Sequence, residues 1–122
     1  MINEKDGEFL SLLYHALRTH RRRQVIRILA KSEDKTVTVR CLARKIASTE
    51  HNIPRTQATG EPYRNVYNAL TQTHLPVLAD AEIVSYNSKR QTVSPSLNLR
   101  IAVLLVITNT YTVQILQKET SK

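Results

Sequence analysis

Residues 63–84 read YRNVYNALTQTHLPVLADAEIV, and this stretch decides the expected fold. Apolar side chains recur along it at three- and four-residue steps, which predicts a helix with one face against a core. The predicted inward positions are Val66, Tyr67, Leu70, His74, Leu75, Leu78 and Ala81. The opposite face is polar and carries Arg64, Asn65, Asn68 and Gln72. Because Pro76 lacks an amide hydrogen, we expect one long bent helix, or a long helix followed by a short one.

The polar face has the chemistry of a base-reading surface. Arg, Asn and Gln side chains have forked donors and acceptors that match guanine and adenine edges in the major groove of DNA. The predicted base-reading residues are Arg64, Asn65, Asn68 and Gln72. An ordinary amphipathic helix with a solvated polar face is the alternative interpretation.

A short β-hairpin is predicted directly after this helix. Ile83–Val93 contains two strand-like runs around the polar tip Asn87-Ser88-Lys89-Arg90. Further upstream, Thr36–Thr38 reads as a short strand that can pair with the hairpin. A polar-faced helix followed by a basic-tipped hairpin indicates a winged helix-turn-helix, a mainly α fold with a small β-hairpin wing.

Three helices and a loop are predicted before the decisive stretch. The first begins at a capping residue, Asn3 or Asp6, the second opens at His20, and the third spans Val39–Thr49. His51–Gly60 contains a proline and a glycine and breaks the periodicity. We therefore expect a loop there, longer than the tight turn that is usual between the two helices of this motif.

Arginine is concentrated around the start of the second helix. Residues 18–27 contain five arginines and no acidic residue. Such a cluster is expected to face phosphates, although arginines that lie as solvated charges over a core are the alternative. On the third helix, Arg40 and Arg44 are expected to face outward. The predicted phosphate-contacting residues, with those at the wing, are Arg21, Arg22, Arg23, Arg40, Arg44, Lys89 and Arg90.

The C-terminal segment is apolar and carries a different pattern. Leu97–Gln117 contains a single charge, Arg100. Apolar and threonine residues repeat in it at 4-3-4-3-4 spacing, which is typical of a coiled-coil helix and favours a helix over the alternative, a Val/Ile/Thr-rich hairpin. A small domain does not leave such a face exposed to water, so we expect a dimer. The predicted dimer interface is Leu97, Ile101, Leu104, Leu105, Thr108, Tyr111 and Ile115. The expected division is a winged-helix domain over residues 1–95 and a dimerisation helix over residues 96–122.

Composition narrows the choice of partner. The 122 residues carry a net charge of +8, which indicates a polyanionic partner. One cysteine excludes an intramolecular disulfide, and the polar N-terminus does not read as a signal peptide. The longest uninterrupted apolar run, Ile101–Ile107, is shorter than the roughly 20 residues that span a bilayer. These features predict a soluble cytoplasmic protein without a membrane partner.

Enzymatic activity is not expected. The sequence contains two distant glycines and no nucleotide-binding loop, paired carboxylates or Ser/His/Asp arrangement. Its four histidines are scattered, and Cys41 has no second cysteine nearby. We therefore predict no catalytic residues, no metal, no cofactor and no small-molecule ligand.

Three stretches resemble a known family. They are Ala16–Leu29 (ALRTHRRRQVIRIL), Thr36–Ala47 (TVTVRCLARKIA) and Val66–Asn87 (VYNALTQTHLPVLADAEIVSYN). The chain is similar to the small winged-helix domains of halophilic archaea and their viruses, which are related to multiple-antibiotic-resistance-type and arsenical-repressor-type regulators. It departs from that family at Glu82, where glycine is usual, and in its strong basicity.

The resemblance implies a regulator that binds duplex DNA, with the predicted base-reading residues on the recognition helix and Lys89 and Arg90 at the wing. High salt weakens phosphate contacts, so a DNA-binding protein of a halophilic organism would need more cationic side chains. The basicity of this chain, compared with that family, therefore favours DNA binding. With the predicted dimer, we expect a repressor that binds an inverted repeat, and analogy with the family extends this to a repressor of a virus or mobile element. The alternative is a winged-helix protein-interaction module without specific DNA binding.

Overall fold

The structure, a computed structural model, describes residues 3–120. Six α-helices and three short strands follow one another along this part of the chain: α1 (Glu4–Leu17), α2 (His20–Lys31), β1 (Val37–Thr38), α3 (Val39–His51), α4 (Gly60–Ala69), α5 (Leu75–Asp80), β2 (Val84–Asn87), β3 (Thr92–Pro95) and α6 (Leu99–Thr120). The strands form one antiparallel sheet with the order β1-β3-β2. The predicted fold class, mainly α with a small hairpin and a C-terminal helix, is confirmed, and the arrangement is of the winged-helix kind.

The first three helices begin at side-chain caps. Oxygen atoms of Asn3, Thr19 and Thr38 accept hydrogen bonds from backbone amides three residues later, at 2.9, 3.3 and 3.1 Å. Each bond satisfies one amide that the first helical turn leaves without a partner. Of the two caps expected for the first helix, Asn3 is therefore the one used.

The long helix behaves as its periodicity predicts. Along its inner face Val66, Leu70, Leu75, Leu78 and Ala81 are buried, and Tyr67 and His74 are half-buried. These residues join the single core with α1, α2 and α3.

Pro76 is accommodated without a break in this helix. Between α4 and α5, Leu70–His74 is π-helical, and the amide of Leu75 donates to the carbonyl of Leu70, five residues back. A widened turn relieves the α-helical hydrogen-bond pattern just where the proline ring and its missing amide would conflict with it. The chain from Gly60 to Asp80 is therefore one continuous helix, called the long helix below.

The long helix ends at Glu82 in a left-handed turn. Glu82 has φ 56°, its amide donates to Ala79, and the amide of Ile83 donates to Leu78. These are the two backbone bonds of a Schellman motif, with Leu78 and Ile83 packed beside it in the core. The position at which the resembling family has glycine is thus one that requires a positive φ.

The sheet connects the start of α3 to the hairpin. β3 pairs with β2 from Val84↔Pro95 to Asn87↔Thr92, and with β1 through Val37↔Val93 and Thr38↔Thr92. Gln91, which was expected to begin the returning strand, instead closes the hairpin loop with φ 55°. Residues 88–91 therefore form the tip of the wing.

Helix α6 follows the sheet, and the hairpin alternative for this segment is wrong. Its first half packs on α2 through Leu99, Ala102 and Val106, whereas every residue from Ile107 to Thr120 is exposed. Helix α6 has 22 residues, and an 18-residue stretch of it has a mean hydropathy of 1.6, so it is long and apolar enough to cross a membrane, judged by length and composition alone. The length of uninterrupted apolar runs did not reveal this property, because threonine and asparagine interrupt the apolar residues of α6.

Candidate nucleic-acid interface

The polar face of the long helix is free of the core. Arg64, Asn65, Asn68 and Gln72 are all exposed. Val66 and Leu70, on the opposite face, are fully buried against the domain. The α-helical repeat keeps Arg64 and Asn68 one above the other, so this helix presents a row of forked donors and acceptors to the outside.

The wing and the start of α3 lie together. Thr38, which caps α3, pairs with Thr92 of β3, and the amide of Val39 donates to the carbonyl of Gln91 over 3.0 Å. The loop tip carries Lys89 and Arg90, both exposed. Exposed cations at the wing therefore belong to the same end of the domain as the N-terminus of α3.

The wing tip is an ordered turn. The side-chain oxygen of Asn87 accepts hydrogen bonds from the amides of Lys89 and Arg90 at 3.2 and 3.1 Å. Such bonds hold a short loop in one conformation. The turn backbone from which the Lys89 and Arg90 side chains extend is therefore ordered.

The side chain of Gln91 ties the wing to the long helix. Its Oε1 accepts from the Tyr67 hydroxyl at 2.6 Å, and its Nε2 donates to the Ser88 carbonyl at 2.7 Å and to the Tyr86 hydroxyl at 3.1 Å. The sequence analysis did not single out Gln91 or Tyr67 for this contact. A cross-element bond between residues 24 positions apart leaves no local signal in the sequence.

Three cations surround a groove at the N-terminal end of α3. Arg40 and Arg44 are exposed there, as predicted, and Arg55 from the loop before α4 joins them. The groove has a volume of about 390 Å³ and is lined by Thr38, Arg40, Cys41, Arg44, Arg55 and Thr56. Sequence reasoning missed Arg55, whose one available signal is a lone cation after Pro54 in the loop between the two motif helices.

The arginine triplet is a correction to the predicted phosphate contacts. Arg22 is 3% exposed, and its Nε donates to the Thr19 hydroxyl at 3.0 Å, so its guanidinium does not face a phosphate. Burial lowers the pKa of Arg22, with a smaller contribution from Arg18. Arg23 donates to the carbonyl of Leu17 at the end of α1, at 2.7 Å.

Arg21 is also engaged within the domain. Its guanidinium makes two hydrogen bonds to the carboxylate of Glu50, at 2.8 and 2.9 Å, and so joins the start of α2 to the end of α3. The hydrogen bonds from Arg21 hold the pKa of Glu50 below its usual range. Arg21 and Arg23 therefore link α2 to its neighbouring helices, Arg22 is bonded to the cap of its own helix, and all three are withdrawn from the candidate interface.

His74 lies beside this group on the long helix. Its Nδ1 is buried and makes no hydrogen bond in the described part of the chain. Burial lowers the pKa of His74, the charges of Arg22 and Arg21 lower it further, and Glu50 opposes them. The neutral imidazole is therefore the form that the fold accommodates.

Between residues 3 and 120, no three His, Cys, Asp or Glu side chains are grouped so as to hold a metal ion. The larger surface depressions are open grooves between helices, such as the one of about 400 Å³ between α1 and α6.

The predicted dimer seam lies on the exposed side of α6. Ile101, Leu104, Thr108, Tyr111 and Ile115 are exposed, on the face opposite Leu99, Ala102 and Val106. Two members of the predicted set do not belong to this seam. Leu97 precedes the helix and is 79% exposed, and Leu105 packs partly against the core.

Comparison with known proteins gives one result. Residues 14–94 match the DUF7344 family, described as a domain of unknown function. Neither the curated proteins nor the solved structures contain a match to this chain. The matched part runs from within α1 into β3, so it contains the long helix and the wing but not α6. Because it covers about two thirds of the 122 residues, this protein belongs to the DUF7344 family.

Proposed function

We propose that this protein binds double-stranded DNA with sequence preference and acts as a transcription regulator, a simple repressor in the cytoplasm. The long helix enters the major groove, and the wing contacts the adjacent backbone or minor groove. Arg64, Asn65, Asn68 and Gln72 read bases, and Arg40, Arg44, Arg55, Lys89 and Arg90 contact phosphates. The resemblance to small archaeal winged-helix domains supports the same function.

The observation that carries the proposal is the exposed polar row on the long helix, next to an ordered cationic wing. All four side chains of the row are of the types that form bidentate pairs with guanine or adenine edges. The net charge of +8 supplies the electrostatic attraction that a polyphosphate partner requires. The Tyr67–Gln91 hydrogen bond joins the wing to the helix that carries the row, and this contact supports a shared binding surface.

A homodimer through α6 completes the proposal. The seam from Ile101 to Ile115 repeats as coiled-coil positions do, and it is exposed in the single chain. A symmetric pair presents two long helices to successive major grooves, about 34–36 Å apart, so the binding site is an inverted repeat.

A second copy explains α6 better than a lipid bilayer does. The inner face of its first half is already packed on α2, and the exposed second half includes Asn109 and Gln114. Amide side chains are costly in hydrocarbon but are tolerated at the margins of a coiled coil. The length and composition of α6 are therefore assigned to self-association.

The test begins with selection of binding sites from a pool of randomised duplexes. Fluorescence anisotropy then compares the selected duplex with a scrambled one across a salt series. The proposal expects tighter binding to the selected duplex that persists as salt rises, because base contacts add to the phosphate term. Equal and steeply salt-dependent binding to both duplexes would contradict sequence recognition.

Two substitutions separate base reading from phosphate contact. Asn68→Ala is expected to lose about 1–3 kcal/mol on the selected duplex and little on the scrambled one. Arg44→Ala is expected to weaken both alike and to flatten the salt slope by about one. Thr73→Ala, an exposed change on the same helix at a residue outside the predicted base-reading set, is the control.

The alternative is a protein-docking module, favoured by one observation, the exposed apolar face of α6. It predicts a monomeric chain without DNA affinity at low salt. That combination of results would replace the DNA proposal with a search for a partner of α6.

A further inference from the structure

Gln91 holds an unfavourable backbone conformation at the last position of the wing loop. Its φ of 55° lies in the left-handed region, which glycine and asparagine occupy more readily than glutamine. A residue that violates a local preference is expected to be offset by other contacts, and at Gln91 the side chain supplies them.

The side-chain amide of Gln91 makes three hydrogen bonds, two of them to other elements of the fold. The Ser88 carbonyl can only accept, so the amide nitrogen must face it, and this leaves Oε1 to accept from the Tyr67 hydroxyl. The second hydrogen on Nε2 goes to the Tyr86 hydroxyl of β2. One amide thus joins the loop tip, a wing strand and the long helix.

The backbone of Gln91 adds a contact to α3. Its carbonyl accepts the amide of Val39, the first residue of α3. The three parts of the proposed DNA interface, namely the long helix, the wing and the start of α3, therefore meet at this residue.

We propose that Gln91 and Tyr67 form a positioning lock that fixes the wing cations relative to the base-reading face. The inference rests on the proposed function. In the locked state, Lys89 and Arg90 are held at one distance from Asn68, so contacts to base and backbone form together. Without the lock, the wing must be ordered during binding, and that ordering lowers affinity.

Two substitutions open the lock with little risk to folding. Tyr67→Phe keeps the ring that packs on the domain and removes the hydroxyl. Gln91→Asn keeps a residue that tolerates positive φ, but its side chain is one methylene too short to span Ser88 and Tyr67. Tyr63→Phe is the control, since Tyr63 lies one turn earlier on the same helix and its hydroxyl makes no hydrogen bond in the described residues.

The first measurement needs no DNA. Backbone ¹⁵N relaxation of residues 88–91 in the free protein is expected to report an ordered wing in the wild type and in Tyr63→Phe, and a more mobile wing in Tyr67→Phe and Gln91→Asn. Unchanged wing order in both opened variants would overturn the lock. The relaxation measurement tests the lock even if the wild type binds no DNA. Absence of DNA binding would contradict the proposed function but not the lock.

The second measurement tests the consequence for binding. On the selected duplex, each opened variant is expected to bind about 3–10-fold more weakly, from the worth of one or two hydrogen bonds. Arg90→Ala should then cost less in the Gln91→Asn background than in the wild type, because the wing arginine is no longer held in place. Fully additive losses would overturn the positioning role and leave Gln91 as a separate contact.

Discussion

Glu82 occupies a backbone position that glycine fills at lower cost. Its φ of 56° crowds Cβ against the backbone, at about 1 kcal/mol for a residue with a side chain. We therefore expect Glu82→Gly to raise the free energy of unfolding by about 1 kcal/mol in urea denaturation. Asn52→Gly is the control, because Asn52 ends α3 at φ 52° and asparagine already tolerates that region. A loss of stability in Glu82→Gly would contradict the strain.

His74 makes the stability depend on pH. The unfolded chain binds a proton near the ordinary pKa of 6.5, whereas burial lowers the pKa of His74 in the fold. The unfolded state therefore binds more protons below about pH 6.5, so the contribution is present above this pH and is lost as the pH falls through it. Between about pH 7 and pH 5, wild type is expected to lose more thermal stability than His74→Leu.

The control for this prediction is His15→Gln, which removes an exposed histidine on α1. It should keep the wild-type dependence on pH. Equal loss of thermal stability in wild type and His74→Leu between about pH 7 and pH 5 would show that groups other than His74 cause the loss.

Single residues were predictable where the helical period alone decides their direction. Asn68 and Gln72 face outward because their phase on the long helix is set by neighbours within two turns. The arginine triplet was not predictable in this way. Arg21 is turned by Glu50, 29 residues away, and the phase of α2 buries Arg22 beside Val25 and Ile26.

At the scale of elements, Asn98 joins the end of the long helix to the start of α6. It is 8% exposed, its side-chain amide donates to the Ala81 carbonyl at 2.9 Å, and its own amide donates to Glu82 at 2.8 Å. Removal of the side chain leaves a buried carbonyl without its partner. Asn98→Ala is expected to cost about 1–3 kcal/mol in chemical denaturation.

Ser96→Ala is the matched control, since Ser96 lies in the same connection and its hydroxyl makes no hydrogen bond in the described residues. If Asn98→Ala lowers the free energy of unfolding no more than Ser96→Ala does, the backbone hydrogen bonds alone stabilise this junction.

Elements were predictable from sequence to the extent that their signals are local. Periodicity predicted the long helix, and the turn-forming tip predicted the wing. The π-helical segment before Pro76 was not predicted. A proline can be accommodated by a kink or by a widened turn, and here the widened turn keeps Leu75 and Leu78 in a core that other helices build. Helix α6 was ambiguous because β-branched residues suit strands, and its packing on α2 settles the matter.

The whole molecule separates its charged and apolar surfaces. The cations of α3 and the wing belong to the proposed DNA face, and the exposed leucines and isoleucines of α6 form another region. The family match ends within β3, so it covers the proposed DNA face but does not cover α6. A charge introduced on α6 should therefore change assembly without touching the DNA face.

Leu104→Glu tests this separation. Leu104 is 64% exposed in the single chain, so the substitution costs the isolated fold little. In a coiled-coil dimer it buries an unpaired charge, at several kcal/mol. Sedimentation is expected to give twice the 13.9 kDa chain mass for wild type and the single mass for Leu104→Glu. The variant should bind an inverted repeat more weakly, with unchanged affinity for one half-site.

Leu97→Glu is the control for the charge itself, because Leu97 is exposed but precedes the helix. It should remain dimeric, since the seam begins one turn later at Ile101. If Leu97→Glu also dissociates the dimer, the interface extends beyond α6 to the connection from β3. If wild type sediments at the single mass at all concentrations, the α6 dimer is excluded, and the inverted-repeat geometry must be abandoned even where DNA binding stands.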